Sequence, residues 1–310
     1  MDAFYKSLAA VINTTKKRAK ELVANYNTGD LGFFQTYFAA LKSIKFEESG
    51  EAKNTSVNLT LFVDENAVGA GAFGVIKKNK GKPYVYKSIV DNWPPEKRLL
   101  YLRAIFKEAI VQTLLQSDTS YGKHVCRLSA IYRNDNNCVF QLEPLGIDLS
   151  KYVASAADPT TVCPILVRLM EVISYFKTKY GFSHNDLRLN NVMTVKEGNV
   201  LGNLKLIDFG NSSIKVGTVE VGKPSRSSPD MFFLFHSLKM ELEGKAYASN
   251  NVDEKLLASP IFKAAESLCE LPAETPIQNY IDVIKGLTKG GSRRSRHNRR
   301  AVRTRKAGLK

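Results

Sequence analysis

Three groups of residues combine the types and spacings that chemistry needs. The first is Gly69-Ala70-Gly71-Ala72-Phe73-Gly74. Glycines let backbone N–H groups come close to phosphate oxygens. The flanking runs VNLTLFV and GVIKK read as strands, so this loop is a hairpin. It is not the strand-to-helix turn of a dinucleotide site. A plain Gly-rich turn would have the same composition. The second group is Lys87 and Glu108. Strand alternation in PYVYKSIV places Lys87 on one face with Val85 and Ile89. That pattern fits an edge-strand lysine, or a buried amine paired with phosphate and a carboxylate. Glu108 supplies a carboxylate at the border of an apolar helix face. The third group is SHNDLRLNNVM followed by LKLIDFGNS. His184, Asp186 and Asn191 form H-x-D-x-x-x-x-N. Asp208-Phe209-Gly210 ends an apolar strand. Carboxylate and amide oxygens suit a hard cation such as magnesium, which keeps water and phosphate among its ligands. The two segments lie close enough in sequence to face each other across one cleft.

The elements that must position these groups can be read from periodicity. Residues 1–56 read as a helical N-terminal extension. Phe4, Leu8, Val11 and Ile12 recur at helical spacing, and LGFFQTYFAALKSI reads as a second helix. EESGEAKNTS then reads as a linker. The extension packs on the body, or lies on a membrane as an amphipathic helix. From about residue 57, short β-branched runs predict strands. They surround one helix that opens at Pro94-Pro95 and carries Leu99, Leu102, Ile105, Phe106, Ala109, Ile110 and Leu114 on one broad face. Strands are also expected near VCRLSAIYR and CVFQLEPL. Helices then dominate. Val162, Ile165, Leu166, Leu169, Val172, Ile173 and Phe176 form an apolar stripe, with Thr161 as its expected cap. Ser228-Pro229 opens another apolar helix.

Composition bounds the remaining possibilities. The 310 residues are 44% hydrophobic and 24% charged, the balance of a globular protein. No run is apolar enough to predict a transmembrane segment. The start lacks the pattern of a signal peptide. Cys126, Cys138, Cys163 and Cys269 show no C-x-x-C spacing. They read as reduced thiols in a cytoplasmic or nuclear compartment. The formal net charge is +15, and residues 289–310 hold ten Lys and Arg with no acid. This stretch reads as a disordered basic tail that is either an import signal or an arm for nonspecific nucleic-acid binding. Eight neutralised phosphates would give a log–log salt slope of roughly −7.

Taken together and in this order, the Gly-rich hairpin, strand lysine, helix glutamate, H-x-D-x-x-x-x-N loop and D-F-G resemble the protein kinase family over about residues 57–245. The resemblance implies an α+β, bilobal fold. It has a β-rich N-lobe (57–143) and a helical, abbreviated C-lobe (144–288), flanked by the 1–56 extension and the 289–310 tail. It implies an ATP- and Mg2+-dependent enzyme acting on a Ser/Thr hydroxyl of a protein substrate. Gly69, Gly71, Phe73 and Gly74 would cover the phosphates, and Val68 and Ile76 would pack on adenine. Lys87 would bind the α/β-phosphates and pair with Glu108. Glu143 and Leu145 would belong to the hinge that hydrogen-bonds adenine. Asp186 would accept the hydroxyl proton, Arg188 would contact the γ-phosphate, and Asn191 and Asp208 would hold the metal.

Departures from the family pattern are equally specific. Asn185 replaces the arginine of the usual H-R-D, so a phosphorylated activation segment loses its customary partner. Arg188 stands where a lysine is usual, a change that also occurs among tyrosine kinases. No A-P-E follows. Asp230 is expected to replace the buried helix aspartate that braces the catalytic loop. The run H-N-D-L-R, D-F-G, S-P-D and Ser237-Leu238 is similar to divergent kinases of large DNA viruses, some carried in virions. Two other function classes share parts of this pattern. Small-molecule phosphotransferases of the aminoglycoside or choline type usually lack the complete Gly-rich loop and D-F-G. Pseudokinases generally lose the lysine or an aspartate.

Overall fold

The computed structural model describes residues 1–47, 58–62, 69–71, 74–78, 83–89, 94–156, 158–197, 200–223, 230–248 and 252–288. The chain forms two compact units. The first comprises Met1–Gly146, Tyr180–His184 and Met193–Pro224; the second comprises Ile147–Lys179, Asn185–Val192 and Ser225–Lys310. Compactness therefore cuts the chain differently from the contiguous boundaries read off the sequence. The N-terminal helices join the first unit, and so does the segment carrying Asp208.

The first unit opens with helices Asp2–Val11 (α1), Lys16–Ala24 (α2) and Leu31–Ala40 (α3). Thr15 and Asp30 cap the second and third, accepting from the N–H groups of Arg18 and Phe33. The expected helix over LGFFQTYFAALKSI stops early. Leu41 is extended, and Lys42–Glu47 is a strand (β1). Its polar–apolar alternation with Ile44 inward is a strand pattern. The strand forms because a sheet edge is available, a long-range partner that no local window contains.

Among the described residues the sheet has seven strands. Beyond β1 they are Asn58–Phe62 (β2), Gly69–Gly71 (β3), Gly74–Lys78 (β4), Val85–Ile89 (β5), Leu128–Asn134 (β6) and Asn137–Leu142 (β7). Their order is β2-β1-β6-β7-β5-β4-β3, with β1 parallel to both neighbours. Tyr86, Val139 and Ile44 pack together on one face. Helix Arg98–Gln116 (α4), preceded by a 3-10 turn at Pro95–Lys97, is buried all round from Glu108 to Leu115. It packs against α1 and α3. Leu8, Leu22, Phe34 and Tyr37 are buried inside this arrangement. The apolar faces of the extension are thus consumed by the body, against the membrane-surface alternative. Strands Val192–Glu197 (β9) and Val200–Leu206 (β10) lead to Asp208, and hairpin Ile214–Val216 (β11) and Val219–Val221 (β12) follows it.

The second unit begins with the short strand Ile147–Asp148 (β8) and helix Leu149–Ser155 (α5), capped by Asp148. Helix Cys163–Tyr180 (α6) buries the predicted stripe. Asp158, not Thr161, caps the turn before it, because a 3-10 segment Pro159–Val162 intervenes. Helix Asp230–Ala246 (α7) is followed by Glu254–Leu257 (α8), Pro260–Cys269 (α9) and a helix over 277–288 (α10). The last three were absent from the sequence reading, although Ser259-Pro260 is a recognisable start. Ser259 Oγ accepts from Phe262 N–H, and proline takes the first helical position. Among the described residues no helix is long and apolar enough to cross a membrane.

Candidate active site

In the first unit, the glycine pattern folds as a hairpin. Gly69 pairs with Ile76, Ala70 with Val75 and Gly71 with Gly74. Val68, Ala72 and Phe73 lie outside the described residues, and so do their expected phosphate and adenine contacts. Register then carries the pattern inward. Ile76 is opposite Lys87, and Lys87 is opposite Phe140. Cross-strand partners share a face, so Ile76, Lys87 and Phe140 form one row.

Lys87 Nζ lies 3.0 Å from Glu108 Oε1 and 3.0 Å from Asp208 Oδ1. One ammonium therefore bridges two carboxylates. Burial works to lower the Lys87 amine, but Glu108 and Asp208 outweigh it and hold it above the ordinary lysine value. The carboxylates diverge. Burial raises Glu108 above the usual range, and the pull of Lys87 does not fully offset it. Burial acts the same way on Asp208, which is more exposed, but there Lys87 prevails and the carboxyl is held below the usual range. Asp208 stays charged, and Glu108 is the group that accepts a proton first.

Asp208 takes up a left-handed backbone, φ 60° and ψ 72°, which aspartate tolerates better than bulkier residues. The neighbouring packing holds it there. Phe209 is fully buried against Phe182 and His184, and His184 Nε2 lies 3.0 Å from the Ile207 carbonyl. The Glu143 carboxylate accepts from Arg127 N–H at 2.8 Å and pairs with Lys205 at 2.7 Å. Its side chain is thus committed to protein contacts. Leu145 is half-buried in the following loop.

In the second unit, Asp186, Arg188 and Asn191 share one short loop. Arg188 Nε lies 2.7 Å from Asp186 Oδ1. Asn191 Nδ2 donates to the Asp186 carbonyl at 2.8 Å and lies 3.4 Å from its Oδ2. With the amide nitrogen so used, the amide oxygen of Asn191 is the atom available to a cation. Helix α7 supports the loop from beneath. Asp230 Oδ1 accepts from Asn185 N–H at 2.7 Å, and Ser237 Oγ accepts from Leu189 N–H at 3.1 Å. The sequence marks Ser237 only as part of a family-like run, and its contact with Leu189, 48 residues away, comes from the fold. Asn185 has φ 61°, a conformation asparagine adopts more readily than most residues. Arg188 lies over the Phe233 ring at 5.8 Å. A cavity of about 500 Å³ opens beside it, lined among others by Asn190, Phe232, His236, Met240 and Glu241.

The described sequence-predicted residues thus fall into two sets: Gly69, Gly71, Gly74, Ile76, Lys87, Glu108, Glu143, Leu145 and Asp208 in the first unit, and Asp186, Arg188 and Asn191 in the second. Among the described residues no group of three or more His, Cys, Asp or Glu side chains is placed to hold a metal. Compared with known families, residues 62–229, more than half of the chain, match the protein kinase domain.

Proposed function

The chain belongs to the protein kinase family, and we propose that it transfers the γ-phosphate of ATP, as its Mg2+ complex, to a serine or threonine hydroxyl of a protein. The observation that carries this reading is the intact Lys87–Glu108–Asp208 cluster, joined at 3.0 Å on both sides of the lysine. Each group has a task. Lys87, kept charged by two carboxylates, orients α- and β-phosphate oxygens. Glu108 fixes the lysine. Asp208 and the Asn191 amide oxygen would hold the metal, which would supply positive charge to the transferring phosphoryl group. Asp186 accepts the hydroxyl proton. Arg188 restrains Asp186 at 2.7 Å and contacts the γ-phosphate. Phosphoryl transfer needs little covalent help, so positioning and charge supply most of the rate.

One feature supports an aliphatic hydroxyl over tyrosine. Arg188 lies over the Phe233 ring, so the protein itself already supplies the cation–π contact that a tyrosyl acceptor would offer. The aromatic-lined cavity beside Arg188 supports a polypeptide acceptor over an aminoglycoside, whose several amines call for a cluster of acids. The complete charged set argues against a pseudokinase. The polycationic residues 289–310 lie outside the described residues, and their sequence supports a nonspecific nucleic-acid arm. The unpaired spacing of the cysteines supports a cytoplasmic or nuclear location. Incubation with labelled ATP, Mg2+ and a panel of casein, histone, basic peptides and an aminoglycoside tests the assignment. Label on serine or threonine is expected. Label confined to tyrosine or to the aminoglycoside would overturn it.

A further inference from the structure

We propose that helices α1–α3 are a built-in brace that positions Glu108, with Phe34, Tyr37, Asn27 and Arg103 as its contact points. The inference rests on the kinase reading only for its catalytic consequence.

The contacts run along α4 toward Glu108. Arg98 lies over the Phe38 ring at 4.8 Å. Arg103 donates to the carbonyls of Gly29 at 2.7 Å and Asn27 at 3.3 Å, and its own carbonyl accepts from Tyr26 Oη at 3.2 Å. Phe106 is fully buried between Phe34, stacked at 6.0 Å, and Tyr37, edge-on at 6.0 Å. At about 100° per residue, Glu108 lies about 200° round the helix from Phe106. The extension therefore packs on the face of α4 opposite Glu108 and backs that carboxylate toward Lys87.

The brace holds a second element as well. The Asn27 carbonyl accepts from Arg103, while its side-chain amide donates to the Glu220 carbonyl at 2.8 Å. Glu220 belongs to the hairpin that follows Asp208-Phe209-Gly210. One exposed corner residue thus links α4 to the segment that carries the other carboxylate of the cluster. The turn is tight: a Cβ on Gly29 would come within 2.4 Å of Phe33 and 3.0 Å of the Asn25 carbonyl. At Phe106 the face of α4 opposite Glu108 is thus covered from within the same chain.

The test uses the full-length protein and two readouts. The first is kcat and KM on a protein acceptor. The second is the pH dependence of Lys87 modification by an amine-reactive reagent, read by peptide mass spectrometry, which reports whether Glu108 still holds the amine. Phe34→Ala should lower kcat about tenfold with KM for the acceptor nearly unchanged. It should also move Lys87 labelling to lower pH, and Phe34→Tyr should restore both. Asn27→Ala and Arg103→Gln, at exposed and half-buried positions, should shift labelling in the same direction and serve if Phe34→Ala does not fold. Folded variants with wild-type labelling profiles would overturn the brace, whatever their rates. A wild-type protein that phosphorylates no acceptor while the variants still shift Lys87 labelling would remove the acceptor assignment and leave the brace standing.

Discussion

Lys87 Nζ is 3.0 Å from Glu108 Oε1, although 21 residues and a change from strand to helix separate them. The pair closes within the unit that also binds Lys87 to Asp208. Lys87→Met should therefore abolish phosphoryl transfer, by about a hundredfold or more, because the groups act as a unit. The fold should survive, since burial already disposes Glu108 to take a proton once its cation is gone. Initial rates and circular dichroism check this. A folded variant with more than a few per cent of wild-type activity would remove Lys87 from the mechanism.

The two carboxylates should leave opposite signatures in pH dependence. Glu108 binds a proton above the usual carboxylate range, and protonation releases one of the two anions on Lys87. The acid limb of kcat should fall above the ordinary glutamate value and move to lower pH in Glu108→Gln, with a reduced rate at neutral pH. In stability, ionising Glu108 works against folding as pH rises through its raised value. The Asp208 contribution is present above the ordinary aspartate value and lost as pH falls through its depressed one. An acid limb identical in wild type and Glu108→Gln would show that another group controls it.

Asp208→Asn should weaken nucleotide binding mainly when Mg2+ is present, because the carboxylate is assigned to the metal and not to adenine. Titrations with and without Mg2+ separate the two. Equal losses in both would assign Asp208 a structural role instead.

Activity should not require phosphorylation of the activation segment. Asn185 lacks the charge to pair with a phosphate, and its backbone is held by Asp230 at 2.7 Å. Ser212 and Ser213 are buried, with Ser213 paired to Ser183 through the backbone, so neither is open to a kinase. Thr218 is exposed, and Ser225, Ser227 and Ser228 lie outside the described residues. Phosphatase treatment should leave the initial rate intact. A large drop rescued by rephosphorylating one of these sites would refute the expectation.

Deleting residues 289–310 should leave the peptide-kinase rate within about twofold, roughly 0.4 kcal/mol in barrier. The same deletion should weaken DNA and RNA binding and flatten its salt dependence, with little difference between sequences. Fluorescence anisotropy on two unrelated oligonucleotides decides it. Equal affinity and slope before and after deletion would leave an import signal or an inert tail.

What the sequence determined by itself is the family pattern and most of the elements that bear it. Gly69–Gly74, Lys87, Glu108, Asp186, Asn191 and Asp208 were legible because each signal is local: a glycine spacing, a strand alternation, a helix stripe, a short loop. Tertiary structure decided what depends on distant partners. The strand at Lys42–Glu47 exists because β6 offers it an edge. The Glu143 carboxylate is drawn to Lys205, and the hydroxyls of Ser212 and Ser213 are buried, by contacts that begin 28 or more residues away. Asn27 meets Glu220 across 193 residues. Burial and pairing set these relationships, and neither property belongs to a residue until the chain has folded around it.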